Sequence, residues 1–228
     1  MIKISKRLKS IASFIEDNSS IVDIGCDHGL LDIYLFKNKK NLKIIASDVN
    51  QNALNNAIKN IKKEKLEKNI KTVLSNGLDN IDTADIDTIV ISGMGTHTIV
   101  GILYNNLSKL KNVKTLIIQS NNDLDFLRYK LKKIGFIITK EQLVEEGNII
   151  YTIIKFNKGF KIYTKKELYL GPYLLKENSS LFQKKNKQEL TKLENFYPLI
   201  PKSHWQHRNK IKWKIKVLRK VTNKTINN

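Results

Sequence analysis

The chain has 228 residues, 41% of them hydrophobic, enough for one domain with a buried core and a sizeable appendage. A single cysteine, Cys26, excludes an internal disulfide framework. With no secretory leader and no apolar run of about 18 residues, the expected location is the cytosol, away from any membrane. The 41 Lys and Arg against 21 Asp and Glu give a net charge of +20, which points to a polyanion or an anionic surface as partner.

Lysine also fills solvated positions freely in a chain this rich in Lys, Asn and Ile, so the total alone leaves the partner open. The distribution says more. Residues 161–228 hold 17 Lys and Arg against 4 Asp and Glu, so the last third carries +13 of the +20.

In chain order, "SKRLKSIASFI" places Leu8, Ile11, Ala12 and Ile15 on one helical face, with Ser5 as N-cap. "IVDI" reads as a buried strand, and "LLDIYLF" takes up helical spacing after Gly29. "KIIASD" is a second strand ending at Asp48. Asn50 then caps a helix with an apolar stripe of Ala53, Leu54, Ala57, Ile58 and Ile61.

"IKTVLS" is a third strand, followed by a turn at Asn76-Gly77. "DTIVIS" is a fourth, ending at a "GMG" turn, Gly93 to Gly95. A helix over Thr98 to Leu107, the strand "TLIIQ" and a helix starting near Asp123 follow. Two strands around Glu146-Gly147-Asn148 read as a hairpin.

Strands alternating with helices up to a final hairpin predict a doubly wound, mostly parallel α/β sheet with one antiparallel edge strand. Right-handed crossovers bring the C-terminal strand ends to one rim, where such sheets hold ligands. From about Lys165 strand alternation stops. Leu174, Leu181, Leu190 and Leu193 suggest one helix or a broken pair, Pro198 and Pro201 interrupt it, and Ile211, Ile215 and Leu218 mark another, with "NKTINN" fraying at the end.

The first loop, "GCDHG", carries the sharpest chemical signal. A dinucleotide loop needs glycines so that a pyrophosphate can sit on the helix N-terminus. A carboxylate at Asp27 beside a pyrophosphate would be repulsive by roughly several kcal/mol in a partly buried site. S-adenosylmethionine has no phosphate and brings a sulfonium and an ammonium, so the sign of the ligand charge selects the methyl donor. Asp48, at the end of the second strand, is placed to accept hydrogen bonds from ribose hydroxyls, or simply to help cap the next helix.

Taken together, "SKRLKSIASFI", "VDIGCDHGLLDIYL", "GMG", "QSN", "EEGNIIY" and "LGPYLLKENSSLF" resemble the bacterial TrmK family of tRNA (adenine-N1)-methyltransferases, which act on adenosine 22 of the tRNA D-loop. The resemblance implies a class I, Rossmann-like S-adenosylmethionine-dependent methyltransferase domain over residues 1–160. It also implies a basic, coiled-coil-like helical domain over 161–228 that helps hold tRNA. Where the family pattern has "GMGG", "QPN", an Asp-Gly-Leu and "HAYLP", this chain has Thr96, Ser120, Asn76-Gly77-Leu78 and "HGLLD" from His28 to Asp32.

The resemblance and the rim positions assign Asp23, Gly25, Asp48, Val49, Asn76, Gly77, Leu78 and Gly93 to the cofactor, and Asp27 and His28 to catalysis. Arg7, Met94, Gly95, Gln119, Asn121, Arg208, Lys212 and Trp213 are assigned to the RNA. Asp27 is expected to accept from the adenine N6 amino group. His28 is expected to orient Asp27, bind the methionine end of the cofactor or take a proton. Lys6 and Lys9, with Lys210, Lys214, Lys216, Arg219 and Lys220, could neutralise phosphates, and the tryptophans of "HWQHRNKIKWKIK" could stack on unpaired bases or pack inside the helices. Four histidines and one cysteine lack metal-ligand spacing, His204 and His207 reading instead as RNA-facing or surface. The expected protein is a monomeric, metal-free enzyme that uses S-adenosylmethionine and acts on tRNA. A noncatalytic tRNA-binding protein and a small-molecule methylase are the competing readings.

Overall fold

A computed structural model describes residues 4–223. The chain divides into two compact units, Met1–Tyr163 and Thr164–Asn228.

In the first unit, α1 (Lys6–Ala12) starts where the Ser5 hydroxyl accepts from the Leu8 amide. The strands are β1 (Ser20–Ile24), β2 (Lys43–Asp48), β3 (Ile70–Leu74), β4 (Thr88–Met94), β5 (Thr115–Ser120), β6 (Phe136–Glu146) and β7 (Ile149–Lys158). Between them run α2 (Leu30–Asn38), α3 (Gln51–Lys63), α4 (Thr96–Tyr104) and α5 (Leu124–Lys133). They form one seven-stranded sheet in the order β3-β2-β1-β4-β5-β7-β6.

Every residue of β1 is buried, as are the first four of β4 and the last five of β5. The continuous apolar runs of these strands are thus those of a sheet covered on both faces. The antiparallel strand expected at the edge is β7. It pairs with β5, one place in from the edge, and the edge itself is β6, antiparallel to β7.

From β1 the chain winds outward through β2 to β3, then returns to β4 beside β1 and winds the other way to β5. Right-handed crossovers therefore put α2 and α3 on one face and α4 on the other. The direction reverses between β1 and β4, which stay paired to the end of β1, so the loops that follow them run to opposite sides and leave a crevice between them.

Several boundaries differ from expectation: α1 stops at Ala12, short of Ile15, and α4 at Tyr104, short of Leu107. β4 runs on through Gly93 and Met94 with an irregular register against β5 at Ser92/Met94, and α4 begins at Thr96 rather than Thr98. These last two shifts come from contacts with the β5-α5 loop: Asn122 Oδ1 accepts the Thr96 amide at 2.9 Å, and the Asn121 amide donates to the Met94 carbonyl at 3.0 Å.

The second unit begins with a capping box, Thr164 and Glu167, on α6 (Lys165–Leu170). Gly171 turns the chain into α7 (Pro172–Glu177), and Ser179 caps α8 (Ser180–Phe196). A 3-10 turn (Tyr197–Leu199) leads to α9 (Trp205–Thr222), which packs against α8. Of the one helix or broken pair expected from Leu174 to Leu193, the pair is what forms, α7 and α8, with α6 ahead of it. The expected fraying of residues 223–228 falls, beyond Asn223, outside the described residues.

The edge strand β6 is pinned to α5 by a fully buried ion pair, Arg128 Nη2 to Glu141 Oε1 at 2.8 Å. Removing one member of such a pair breaks a charge contact made out of reach of water. Glu141→Ala is expected to destabilise the protein by about 3–5 kcal/mol in denaturant unfolding.

Candidate functional site

The loop after β1 is shaped by the end of β2. Gly25 leaves the strand in the left-handed region (φ 78°), and a Cβ there would run into the terminal methyl of Met94. Glycine is the residue that meets both demands. The Gly25 and Cys26 amides then both donate to the Ser47 carbonyl, at 2.8 and 2.9 Å, and the Asp27 amide donates to Asp48 Oδ2 at 3.1 Å. Asp48 Oδ1 accepts the Asn50 amide at 2.9 Å.

In a phosphate-binding loop successive amides face the ligand. Here three in a row are spent on β2, so the loop keeps few donors for an anion. Asp27 is itself left-handed (φ 50°), a conformation that Asp tolerates better than most residues, and its exposed carboxylate lies 3.6 Å from His28 Nε2. The His28 carbonyl is held by Asn60 Nδ2 at 2.9 Å.

This loop forms one wall of a cleft of about 460 Å³, a size suited to a small ligand. Arg7, Asp23, Gly25, Asp27, His28, Asp48, Gly93 and Met94 all line it. Leu8, Cys26, Leu30, Leu31 and Ser92, which were not expected, line it too. Cys26, Leu30 and Leu31 were within reach of inference as neighbours of the loop, whereas Leu8 and Ser92 carry no sequence signal.

Asp23 is buried, and its carboxyl is pushed up to about 7, first by desolvation and then by the charge of Asp48, with Arg7 pulling the other way. Asp32, on α2, is wholly buried with neither oxygen hydrogen-bonded; burial, and then Asp23, raise it well above the usual carboxylate range. Burial likewise pushes the Cys26 thiol up, so it is no ready nucleophile.

The opposite wall is braced from β5. Gln119 Oε1 accepts from Arg7 Nη1 at 2.6 Å and from the Gly93 amide at 3.1 Å, while its Nε2 donates to Asn121 Oδ1 at 3.0 Å. Asn121 Nδ2 donates to the Gly93 carbonyl at 2.8 Å. Gln119 and Asn121, expected on the RNA, thus hold the Gly93–Gly95 segment and Arg7, which also lies 5.3 Å over the Tyr151 ring. The departures at Thr96 and Ser120 meet: their hydroxyls are 2.7 Å apart and buried.

A family model for TrmK, tRNA (adenine(22)-N(1))-methyltransferase, matches residues 21–220. The chain belongs to this family. The Bacillus subtilis tRNA (adenine(22)-N(1))-methyltransferase is 30% identical over 219 residues, 93% of this chain and 92% of its own. M. capricolum TrmK, solved with S-adenosyl-homocysteine, superposes with a TM-score of 0.85 at 30% identity, over 96% of this chain and 98% of that one. Streptococcus pneumoniae Sp1610, solved with S-adenosyl-L-methionine, gives 0.89 at 34%, over 97% and 100%. As a TrmK-family protein the chain is an S-adenosylmethionine-dependent tRNA (adenine-N1)-methyltransferase, which sets aside the noncatalytic and small-molecule readings.

The remaining expected residues lie apart from the cleft lining. Val49 is exposed just beyond Asp48. Asn76 bonds Asp79 across the β3 turn, the Gly77 carbonyl accepts from Ser75, and Leu78 is core, its carbonyl accepting from Lys109 Nζ at 2.6 Å. Gly95 precedes α4. In the second unit Lys212 is exposed. Trp213 is half-buried, 5.6 Å from the Tyr169 ring with Lys165 Nζ 4.2 Å above it, and Arg208 donates to the carbonyls of Tyr197 and Ile200.

The donor set suits the cofactor: spent amides where a phosphate would need them, a rim carboxylate at Asp48, and a buried carboxyl at Asp23 that a cation would ionise. Gly25→Ala should cost about 1–2 kcal/mol of stability from its left-handed backbone. It should also weaken S-adenosylmethionine binding at least tenfold by calorimetry, because Met94 must move.

Proposed function

We propose that the cleft seats S-adenosylmethionine with its ribose hydroxyls on Asp48 and its ammonium facing Asp23, and that Asp27 meets the edge of an extruded adenine. The observation that carries this reading is the run of three amides turned to β2, which leaves acids rather than donors toward the ligand. The bound cofactor supplies a methyl group on a sulfonium.

Adenine N1 has an in-plane lone pair, so it attacks without a base. The N–C bond forms as the C–S bond breaks, and the electron pair of that bond stays on sulfur. Alignment is the main demand, and positioning can lower such a barrier by roughly 7–11 kcal/mol. Positive charge grows on the ring, where the Asp27 carboxylate both stabilises it and accepts from N6. His28, 3.6 Å away, orients that carboxylate.

N1 is hidden in folded RNA, so the base must be flipped out and the backbone gripped elsewhere. We assign the grip on the tRNA, with adenosine 22 in the D-loop as target, to the basic second unit. The enzyme acts as a monomer in the cytoplasm and needs no metal. Among the described residues no helix is long and apolar enough to cross a membrane, and no group of three His, Cys, Asp or Glu is placed to hold a metal.

Asp27→Ala is expected to keep its fold and its tRNA affinity while losing most methylation of tRNA, with primer extension reading the modified position. Near-wild-type turnover would remove Asp27 from the mechanism.

A pH dependence also follows. Below about 7 Asp23 holds a proton, and a cation beside it favours the ionised form, so binding must expel that proton. Affinity for S-adenosylmethionine should rise between pH 5.5 and 7, by up to about tenfold per unit. Calorimetry in buffers of different ionisation enthalpy should register proton release, and Asp23→Asn should bind weakly and without that slope.

A further inference from the structure

The turn between α8 and α9 is fastened from within, yet it holds large apolar side chains in water. Ile200 packs down on Ile211 and Ile215 with Leu190, Leu193 and Tyr197 around it. Arg208 lies 4.4 Å from the Tyr197 ring centroid and donates to the carbonyls of Tyr197 and Ile200, so its cation is used to fasten the turn. Pro198 and Pro201 fix the backbone on either side. What this frame leaves outside is Leu199, 75% exposed, Trp205, 62%, and Phe196, 47%, the last edge-on to His207 at 6.1 Å. A preorganised turn that presents apolar surface in this way marks a contact site.

The charge around the turn names the partner. No acid occurs from Asn195 to the end of the chain, while Lys202, Lys210, Lys212 and Lys216 are exposed. A second copy would bring the same positive surface against it. Trp213, the other indole, is covered by Tyr169 and Lys165, so Trp205 is the one in the open.

We propose that this turn is a stacking platform for an unpaired base of a tRNA loop, with Trp205 and Leu199 against the base and the neighbouring lysines on its phosphates. The proposal rests on the reading of the second unit as the tRNA-gripping part. It assigns separate jobs within it: Trp205 takes a base face, Arg208 builds the turn, and the lysines carry the salt-dependent attraction. Stacking of this kind is tolerant of sequence, because every base has a π-face.

The test is equilibrium binding of the full-length protein to unmodified tRNA over a salt series. Trp205→Ala and Leu199→Ser should each bind about tenfold more weakly with the salt slope unchanged, since stacking releases no counterions. Trp205→Phe should recover most of the loss. The triple variant Lys210→Ala, Lys212→Ala, Lys216→Ala should instead flatten the log–log slope by about 2–3. Cofactor affinity should stay at the wild-type value throughout.

Wild-type affinity in Trp205→Ala beside a weakened triple variant would overturn the platform and keep the tRNA grip. Wild-type affinity in both would overturn the two together. A wild-type dimer that Trp205→Ala dissolves, with tRNA affinity unaltered, would make the turn a self-association face and also overturn the proposal.

Discussion

The hydrogen bond from the Asp27 amide to the Asp48 carboxylate, together with the double acceptance by the Ser47 carbonyl, is the constraint on which the site depends. Parallel pairing of β1 with β2, Ile24 opposite Ser47, brings the two strand ends level. The loop after β1 therefore folds over the end of β2 instead of presenting its amides outward. A loop of the same length with outward amides would attract phosphate; this one gathers carboxylates around a cleft. A cationic ligand then restores the balance of charge.

The same economy explains the protonation of the interior. Asp23, Asp32 and Asp48 are all buried near one another's influence, and three ionised carboxylates there would repel strongly. Burial keeps protons on Asp32 and, near neutrality, partly on Asp23, and Arg7 supplies the compensating cation. Arg7 is in turn held by Gln119, whose remaining bonds steady Gly93 and Asn121. The β4 and β5 loops thus form one brace. Within it Thr96 and Ser120, both departures from the family pattern, bond to each other.

Much of this was legible in the chain. Ser5, Asn50 and the strand from Lys43 to Asp48 are where capping and apolar pattern place them, because those signals are local. The acidic loop was legible because Asp27 replaces a residue whose chemistry is known. Non-local bonds were not: the start of α4 depends on Asn122, and the place of β7 inside the sheet depends on which edge of the hairpin meets β5. The partners of two cations were hidden for a related reason. A sequence displays the charge of Arg7 and Arg208 but not the Gln119 oxygen or the backbone carbonyls that occupy them. Trp213 has the same lysine-rich setting as Trp205, and only packing separates the covered ring from the open one.

The most direct test of the central claim compares two ligands that share an adenosine but differ in charge. Calorimetric titration of the whole protein with S-adenosylmethionine and, separately, with the dinucleotide NAD should give saturable binding of the first and no heat of binding from the second at millimolar concentration. Comparable affinity for the two would mean that the loop accepts a pyrophosphate after all, and would contradict the account.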